Sequence, residues 1–167
     1  SSKKLVEDGL SFILNPYDEW YALVRAIELK EQLGGQVDVI HVGNSGSEMV
    51  IRKALAIGAD AAYRIDLDSA DAFQIASNIA SFANSRGYDL ILLGKETIDY
   101  NGSEVGSMLS GLMDMNFISY CIKLETDGQK ATATREIDGG TEIIELNFPF
   151  ILSAAKGLAE QRIPNMK

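Results

Sequence analysis

The sequence predicts an α/β fold, in which a parallel sheet carries helices on both faces and an antiparallel extension follows. Three observations predict it. Between residues 10 and 115, short apolar runs of strand length alternate with amphipathic stretches of helix length. Polar, glycine-bearing loops follow the strands, and three successive β-then-α units favour parallel pairing with right-handed crossovers. After Asn116 the hydrophobic period changes from that of helices to that of strands, with hairpin turn signals.

The α/β core begins with a helix whose start is marked by Asn15 and Pro16. Asparagine caps free N–H groups, and proline fits the first helical position. Gly34 and Gly35 end this helix. The core then continues with a strand at 36–42, a helix at 47–57, a strand at 61–67, a helix at 70–86, a strand at 89–93 and a helix from Val105.

The extension is predicted to contain four strands, at 117–125, 130–137, 141–148 and 150–153. Asp127 and Gly128 form a hairpin turn signal between the first two. We therefore interpret residues 1–167 as one domain. Its parts are a polar tail at 1–9, the α/β core at 10–115, the extension at 116–153 and an exposed arm at 154–167.

Composition excludes several classes of function. The 167 residues carry a net charge of −9, with 24 acids against 15 bases, whereas a nucleic-acid binder needs a basic face. The lone His41 and the single Cys121 predict no metal cluster, no disulfide and no Ser–His–Asp triad, so both are interpreted as structural. The sequence shows no apolar run of bilayer length and no signal peptide, which predicts a cytoplasmic protein without membrane insertion.

Two polar loops point to a ligand site. Residues 43–46 and 94–103 each follow a strand of the core, and in a parallel sheet such loops share the carboxyl edge, where ligands bind. Gly102 allows close approach of a backbone, and Ser103 either caps the next helix or donates to a phosphate. The alternative for each loop is an ordinary turn between a strand and a helix.

Five motifs, in order along nearly the whole chain, resemble the β subunit of electron transfer flavoprotein. They are Asn15-Pro16-Tyr17-Asp18-Glu19, RKALAIGAD at 52–60, LLGKETID at 92–99, REIDGG at 135–140 and RIPNMK at 162–167.

This resemblance implies a fold of the adenine-nucleotide-binding type (HUP, Rossmann-like) and an electron carrier without covalent chemistry of its own. In that family the β subunit pairs with an α subunit, which holds most of the redox FAD. The β subunit binds AMP or a second FAD. The pair carries electrons from flavin dehydrogenases, such as acyl-CoA dehydrogenases, to a quinone reductase.

The resemblance also implies site residues. The nucleotide would bind at the positions that match the family's site, and Gly102, which has no Cβ atom, would let the backbone approach it closely. Where AMP-binding members commonly have Asn-Gln-Thr, this chain has Ser103, Glu104 and Val105, of which the last two cannot supply an amide and a hydroxyl. Tyr17 would lie near the flavin, and Leu158 would be the apolar anchor for partner dehydrogenases. The matching nucleotide positions are Asn15, Val42, Gly43, Leu93, Gly94 and Asp99.

The family begins with a hydrophobic strand and a long loop ahead of the Asn-Pro helix, and neither is present here. The missing strand would lie centrally in the sheet, and its absence would leave buried backbone groups unpaired. We therefore expect a partner chain, a swapped segment or a displaced strand to fill the gap.

Two other functions remain open at this point. One is a stand-alone ATP-binding protein of the universal stress type, although Asn101-Gly102-Ser103 is poorer in glycine than such a phosphate loop and the C-terminal hairpins have no place in that fold. The other is a structural subunit with an empty cleft, which Glu104 and Val105 would favour.

Overall fold

The computed structural model describes residues 13–68 and 71–162. Within these residues it contains four α-helices, one short 3-10 helix and seven strands. They run in the order α1 (Asp18–Leu33), β1 (Asp38–Val42), a 3-10 turn (Ser45–Ser47), α2 (Glu48–Ile57), β2 (Ala61–Ile65), α3 (Ala72–Asn84), β3 (Leu90–Gly94), α4 (Glu104–Met113), β4 (Asn116–Thr126), β5 (Lys130–Ile137), β6 (Gly140–Asn147) and β7 (Phe150–Ala154).

Every helix and strand predicted between residues 13 and 154 is present, and the differences lie at the ends. The start of α1 is the clearest. The Asn15 side chain accepts a hydrogen bond from the Tyr17 amide at 3.0 Å, so it closes a turn ahead of the helix, which begins at Asp18. The polar tail, the apolar residues at 10–12 and the predicted helix start at Ala70 lie outside the described residues.

In the described residues, a gap divides the predicted parallel sheet into two parts. The strands form two sheets, because β1 pairs only with β2, and β3 pairs only with β7. The second sheet has five strands in the order β3-β7-β4-β5-β6. The mixed α/β class is confirmed, while β1 and β3 are separated by a gap without backbone pairing.

The last strand also differs from the prediction. β7 is parallel to β3 on one side and to β4 on the other, so it lies inside the sheet and all five of its residues are buried. Only the pairs β4–β5 and β5–β6 are antiparallel. The apolar sequence Phe150-Ile151-Leu152 is what a strand covered on both faces requires.

Helix α1 links the two sheets. Ala22 and Leu29 pack in the cluster that includes β4, β5 and β7, whereas Val24 and Ile27 pack with Val37 beside β1. Because one helix is shared by both clusters, the two sheets are held together by side chains, although no backbone hydrogen bonds join them.

Cys121 is fully buried on β4, and burial raises the pKa of its thiol to about 11. This agrees with its interpretation as a small buried hydrophobic residue.

Candidate functional site

A gap that leaves room for about one strand separates β1 from β3. Tyr88, just before β3, donates a hydrogen bond of 2.6 Å from its hydroxyl to Asp38, the first residue of β1. The two strands therefore start close to each other, at the same edge of the molecule. Two side chains joined end to end span about 10 Å, which is two interstrand spacings. We call the space between β1 and β3 the slot.

In both strands, every second residue directs its backbone N–H and C=O groups into the slot. The Gly43 amide donates to the Ile65 carbonyl in β2, so the backbone N–H and C=O groups of the odd-numbered residues of β1 point to β2. Those of the even-numbered residues, including Ile40, therefore point into the slot. The Lys95 amide donates to the Ala154 carbonyl in β7. By the same alternation, the backbone N–H and C=O groups of Leu92 point into the slot. The backbone groups that face the slot are those of Asp38, Ile40, Val42, Leu90, Leu92 and Gly94.

A cavity of about 1030 Å³ occupies the slot and extends to the carboxyl ends of the two strands. Its walls combine strand residues of β1 and β3 with helix residues on both faces, among them Leu23 of α1 and Phe82 of α3. At its carboxyl end it reaches the residues predicted to hold a nucleotide. Five of these line it, namely Leu93, Gly94, Gly102, Ser103 and Val105.

Gly94 ends β3 against the start of α1. A Cβ atom on Gly94 would lie 2.7 Å from the Glu19 carboxyl carbon, so only glycine lets this carboxyl pack against the strand. Glu19 lines the cavity, and its Oε2 atom is buried without a hydrogen-bond partner in the described structure. Burial raises the pKa of Glu19, and the neighbouring Asp18 charge adds to the rise. Nothing in the sequence pattern predicted that Glu19 would enter the site, because an acid is expected in a first helical turn in any case.

The loop between β3 and α4 is closed by its own hydrogen bonds. The Gly102 amide donates to the Thr97 hydroxyl at 3.1 Å, and the Thr97 amide donates to the Gly102 carbonyl at 2.9 Å. A Cβ atom on Gly102 would lie 2.1 Å from the Tyr100 ring. Glycine at this position is therefore required by the closure of the loop itself. Asp99 accepts a hydrogen bond from the Tyr100 amide and does not line the cavity.

Ser103 occupies the N-cap position of α4, but its side chain makes no capping hydrogen bond. The N–H groups of the first turn of α4 consequently lack the usual side-chain acceptor, and the positive end of the helix dipole points towards the cavity mouth. Glu104 is exposed in that first turn, and its carboxylate folds towards Gly102. An uncapped helix start favours an anion, while the Glu104 charge opposes one.

At the end of β1, Val42 and Gly43 lie beside the cavity without lining it. The His41 ring does line the cavity and covers Gly43, where a Cβ atom would lie 2.5 Å from its Nε2 atom. Burial lowers the pKa of His41, and the Arg64 charge lowers it further. The histidine interpreted as structural therefore lies at the candidate site as a neutral ring.

Tyr17 is separated from this group, whereas the Asn15 side chain reaches it through a hydrogen bond to the Glu19 carboxyl. They line a second, smaller cavity on the other side of the β3 loop, and Tyr17 is 56% exposed there. The structure thus brings together the residues at the end of β3 and at the start of α4, and it places Tyr17 at a separate opening.

Leu158 is not on an exposed arm. It is only 5% exposed and packs in the cluster formed by α1, β4 and β7, so the predicted exposure is wrong for Ala154, Ala155 and Leu158, while Lys156 and Gly157 are exposed. Two hydrogen-bonded contacts hold the following residues against α1: Gln161 donates to the Pro16 carbonyl, and Arg162 pairs with Glu31. The docking role of Leu158 stays a prediction, and it would require this side chain to leave its packed position.

Within residues 13–68 and 71–162, no three side chains of His, Cys, Asp or Glu lie close enough together to hold a metal ion. In the same part of the chain, no helix combines the length and the apolar character needed to cross a bilayer.

Comparison with known proteins gives one consistent family. Residues 3–167 match the family described as "Electron transfer flavoprotein domain". The chain is 38% identical over 167 residues to the electron transfer flavoprotein subunit beta of Bacillus subtilis, covering 98% of this chain and 65% of that protein. It is 34% identical over 169 residues to the subunit beta of Thermoanaerobacterium thermosaccharolyticum, covering 99% and 65%. It is 33% identical over 171 residues to the human subunit beta, covering 97% and 67%. The chain therefore spans about two thirds of the length of these curated relatives.

Proposed function

The chain belongs to the electron transfer flavoprotein family, and from this premise we propose that it acts as a beta subunit. In this role it pairs with an alpha subunit in the cytoplasm and helps to carry electrons from flavin dehydrogenases to a quinone reductase. The chain itself does no covalent chemistry. Its residues bind a nucleotide and shape the surroundings of a flavin that the two subunits share, and the flavin supplies the redox chemistry.

The observation that carries the proposal is the carboxyl end of the slot. The uncapped start of α4 and the backbone edges of β1 and β3 all meet one cavity. This is the position at which an open α/β sheet binds nucleotides, with a phosphate at the helix N-terminus. The cavity, at about 1030 Å³, lies at the upper end of the size range of ligand sites and has room for an adenine nucleotide.

The nucleotide is AMP or a second FAD. Ser103 can offer its free hydroxyl and the α4 amides to a phosphate, since its side chain is not engaged in capping. Val105, in the first turn of α4, is half-buried against the core cluster that contains Leu109. Its side chain therefore offers the nucleotide an apolar surface and no hydroxyl. Two further contacts of the proposal are Tyr17 at the flavin, which is exposed, and Leu158 at a dehydrogenase, which is buried and would have to leave its packed position.

One experiment tests the proposal. The full-length protein is co-expressed and purified with its alpha subunit, its absorption spectrum is recorded, and the ligands released on denaturation are identified by mass spectrometry. We expect a yellow heterodimer that releases FAD and either AMP or additional FAD. A colourless complex that releases no flavin would contradict the function, and ATP from a homodimer would favour the universal-stress alternative. Flavin without any nucleotide beyond the shared FAD would indicate that the cleft is empty.

A further inference from the structure

Glu19 has a carboxyl oxygen that no donor of the described structure reaches. Its side chain lines the large cavity, packs against Gly94 at the end of β3 and accepts a hydrogen bond from the Asn15 side chain. Its Oε2 atom is buried and has no hydrogen-bond partner among the described residues. Buried polar atoms of native proteins almost always have a partner, so each exception needs a physical explanation. The cavity is the space beside this carboxyl from which a donor can come.

The groups around Glu19 do not compensate its charge. Burial raises the pKa of this carboxyl, and the charges of Asp18 and Asp99 add to the rise. Among the described residues Glu19 forms no ion pair, since Lys95, the next residue after β3, pairs with Glu96 at 3.4 Å. A desolvated carboxylate costs stability that a neutral side chain would not cost. Residues that lower stability in this way are typical of functional sites.

Glu19 lies at the same end of the cavity as the start of α4. Three residues lead from Gly94 to Thr97 and span at most about 11 Å, and Thr97 is hydrogen-bonded to Gly102, directly ahead of the helix. Gly102, Ser103 and Glu19 all line the one cavity. In a nucleotide whose phosphate binds at α4, the ribose follows the phosphate directly. The phosphate itself is repelled by a carboxylate, whereas the ribose hydroxyls are donors.

We propose that the Glu19 carboxylate binds the ribose hydroxyls of the nucleotide, and that it thereby selects ribonucleotides over deoxyribonucleotides. The inference rests on the proposed function and deepens it. It applies to AMP and to FAD, because both contain this ribose. The hydrogen bonds of an ionised acceptor are roughly twice as strong as those of a neutral one. In dinucleotide-binding α/β folds an acid binds a ribose hydroxyl in the same way.

Asn15 orients the carboxyl for this contact. Its Oδ1 atom accepts a hydrogen bond from the Tyr17 amide at 3.0 Å, so the side-chain nitrogen is the atom that donates to Glu19. A carboxyl held on one side by Asn15 and packed on the other against Gly94 has little freedom to turn away from the cavity. This gives Asn15 a place in the nucleotide site through Glu19.

The test compares AMP with 2′-deoxyAMP and 3′-deoxyAMP. The full-length heterodimer, freed of bound nucleotide by dialysis, is titrated with each of them by calorimetry. We expect the wild type to bind AMP at least about tenfold more tightly than one of the deoxy forms, because a hydrogen bond to a charged group contributes this much. Glu19→Gln, whose neutral carbonyl is a weaker acceptor, should reduce this preference, and Glu19→Ala should abolish it. The matched control Glu136→Gln removes an exposed charge from β5 and should leave the preference unchanged.

The outcomes separate this inference from the proposed function. If the wild type binds AMP and both deoxy forms equally well, or if Glu19→Ala keeps the wild-type preference, the ribose contact is wrong while the beta-subunit role stands. If the wild type binds none of the three nucleotides, the inference fails together with the AMP site of the proposed function. Without nucleotide, Glu19→Gln should melt at the wild-type temperature or above it, since it removes a charge without a partner. A lower melting temperature would mean that the carboxylate stabilises the fold itself, and would overturn the inference.

Discussion

Tyr88 and Asp38 form the one hydrogen bond in the described structure that joins the starts of β1 and β3 across the slot. The phenol donates to the carboxylate at 2.6 Å. Burial raises the pKa of Tyr88, and the bond to Asp38 raises it further, so the hydroxyl keeps its proton at neutral pH. Two strands without backbone pairing are thus held at a fixed separation by side chains.

The first prediction concerns this bond. Tyr88→Phe should lower the free energy of unfolding by roughly 1.5–3 kcal/mol, the range for a hydrogen bond to a charged group, because Asp38 loses its donor. Urea unfolding followed by circular dichroism measures the change. Tyr63→Phe is the matched control, since the described structure gives the Tyr63 hydroxyl no hydrogen bond. Equal effects of the two substitutions would show that the bond does not stabilise the fold.

The second prediction concerns the backbone that faces the slot. In this chain, the amides of Ile40 and Leu92 should exchange their hydrogens faster than those of His41 and Leu93, which point to paired neighbours. The difference is measurable residue by residue by NMR. In a full-length protein whose slot holds a strand, Ile40 and Leu92 should become protected. If all four amides are equally protected in this chain, the slot is closed in solution.

The positions of the helices and strands were predictable because each depends on signals within a few residues of the sequence. Hydrophobic period, glycine stops and hairpin signals act over a few residues, and β5 was placed at its observed bounds. Which strands pair depends on neighbours far along the chain. The apolar run Phe150–Ala154 gave no sign that it would enter between β3 and β4, since a continuous apolar run predicts burial and not its partners.

The candidate site was predictable where a loop follows a strand, and unpredictable where side chains meet across the fold. Gly94, Gly102 and Ser103 were identified from the βα connection, and they line one cavity. Glu19 and His41 were not identified, because their places depend on how α1 and β1 pack beside β3. Leu158 was misjudged for the same reason, since its burial depends on contacts with distant strands.

The third prediction compares two glycines of α4. A Cβ atom on Gly106 would lie 2.5 Å from the Phe117 ring, so Gly106→Ala should lower the free energy of unfolding by about 1–3 kcal/mol through overpacking. Gly111 has open space at the same position, and Gly111→Ala should raise stability by about 0.5–1 kcal/mol through helix propensity. Thermal melting of both variants tests the pair. Stabilisation by Gly106→Ala would show that α4 does not pack closely on β4.

The fourth prediction concerns Glu104, whose carboxylate lies at the start of α4. In the full-length heterodimer, Glu104→Gln should tighten AMP binding about two- to fivefold, because it removes a negative charge from a helix end that would hold a phosphate. Calorimetric titration with AMP at two salt concentrations tests this, and the gain should shrink at high salt. The control Glu136→Gln removes an exposed charge from β5 and should change nothing. Weaker binding by Glu104→Gln would mean that this residue contacts the nucleotide.

The fifth prediction concerns pH and the buried Glu19 carboxyl. Its pKa in the folded chain lies above the ordinary value of 4.5, so the native state holds its proton more tightly than the unfolded state does. Stability therefore falls as pH rises from 4.5 through the raised pKa. Glu19→Gln should raise the free energy of unfolding at pH 7, and this gain should vanish below pH 4.5, where the wild-type carboxyl is neutral as well.

Glu31 is the control for the Glu19 measurement, because its pKa is lowered by folding whereas that of Glu19 is raised. The hydrogen bond from Arg162 holds the pKa of Glu31 below its ordinary value, so the charged form of this carboxyl favours the folded state. Glu31→Gln should therefore reduce stability at pH 7, and its deficit should vanish as pH falls through that lowered pKa. Urea unfolding midpoints between pH 3.5 and 8 follow both variants. A Glu19→Gln variant that is less stable than the wild type at pH 7 would show that the carboxylate finds a partner in solution, and that the end of β3 is open to water there.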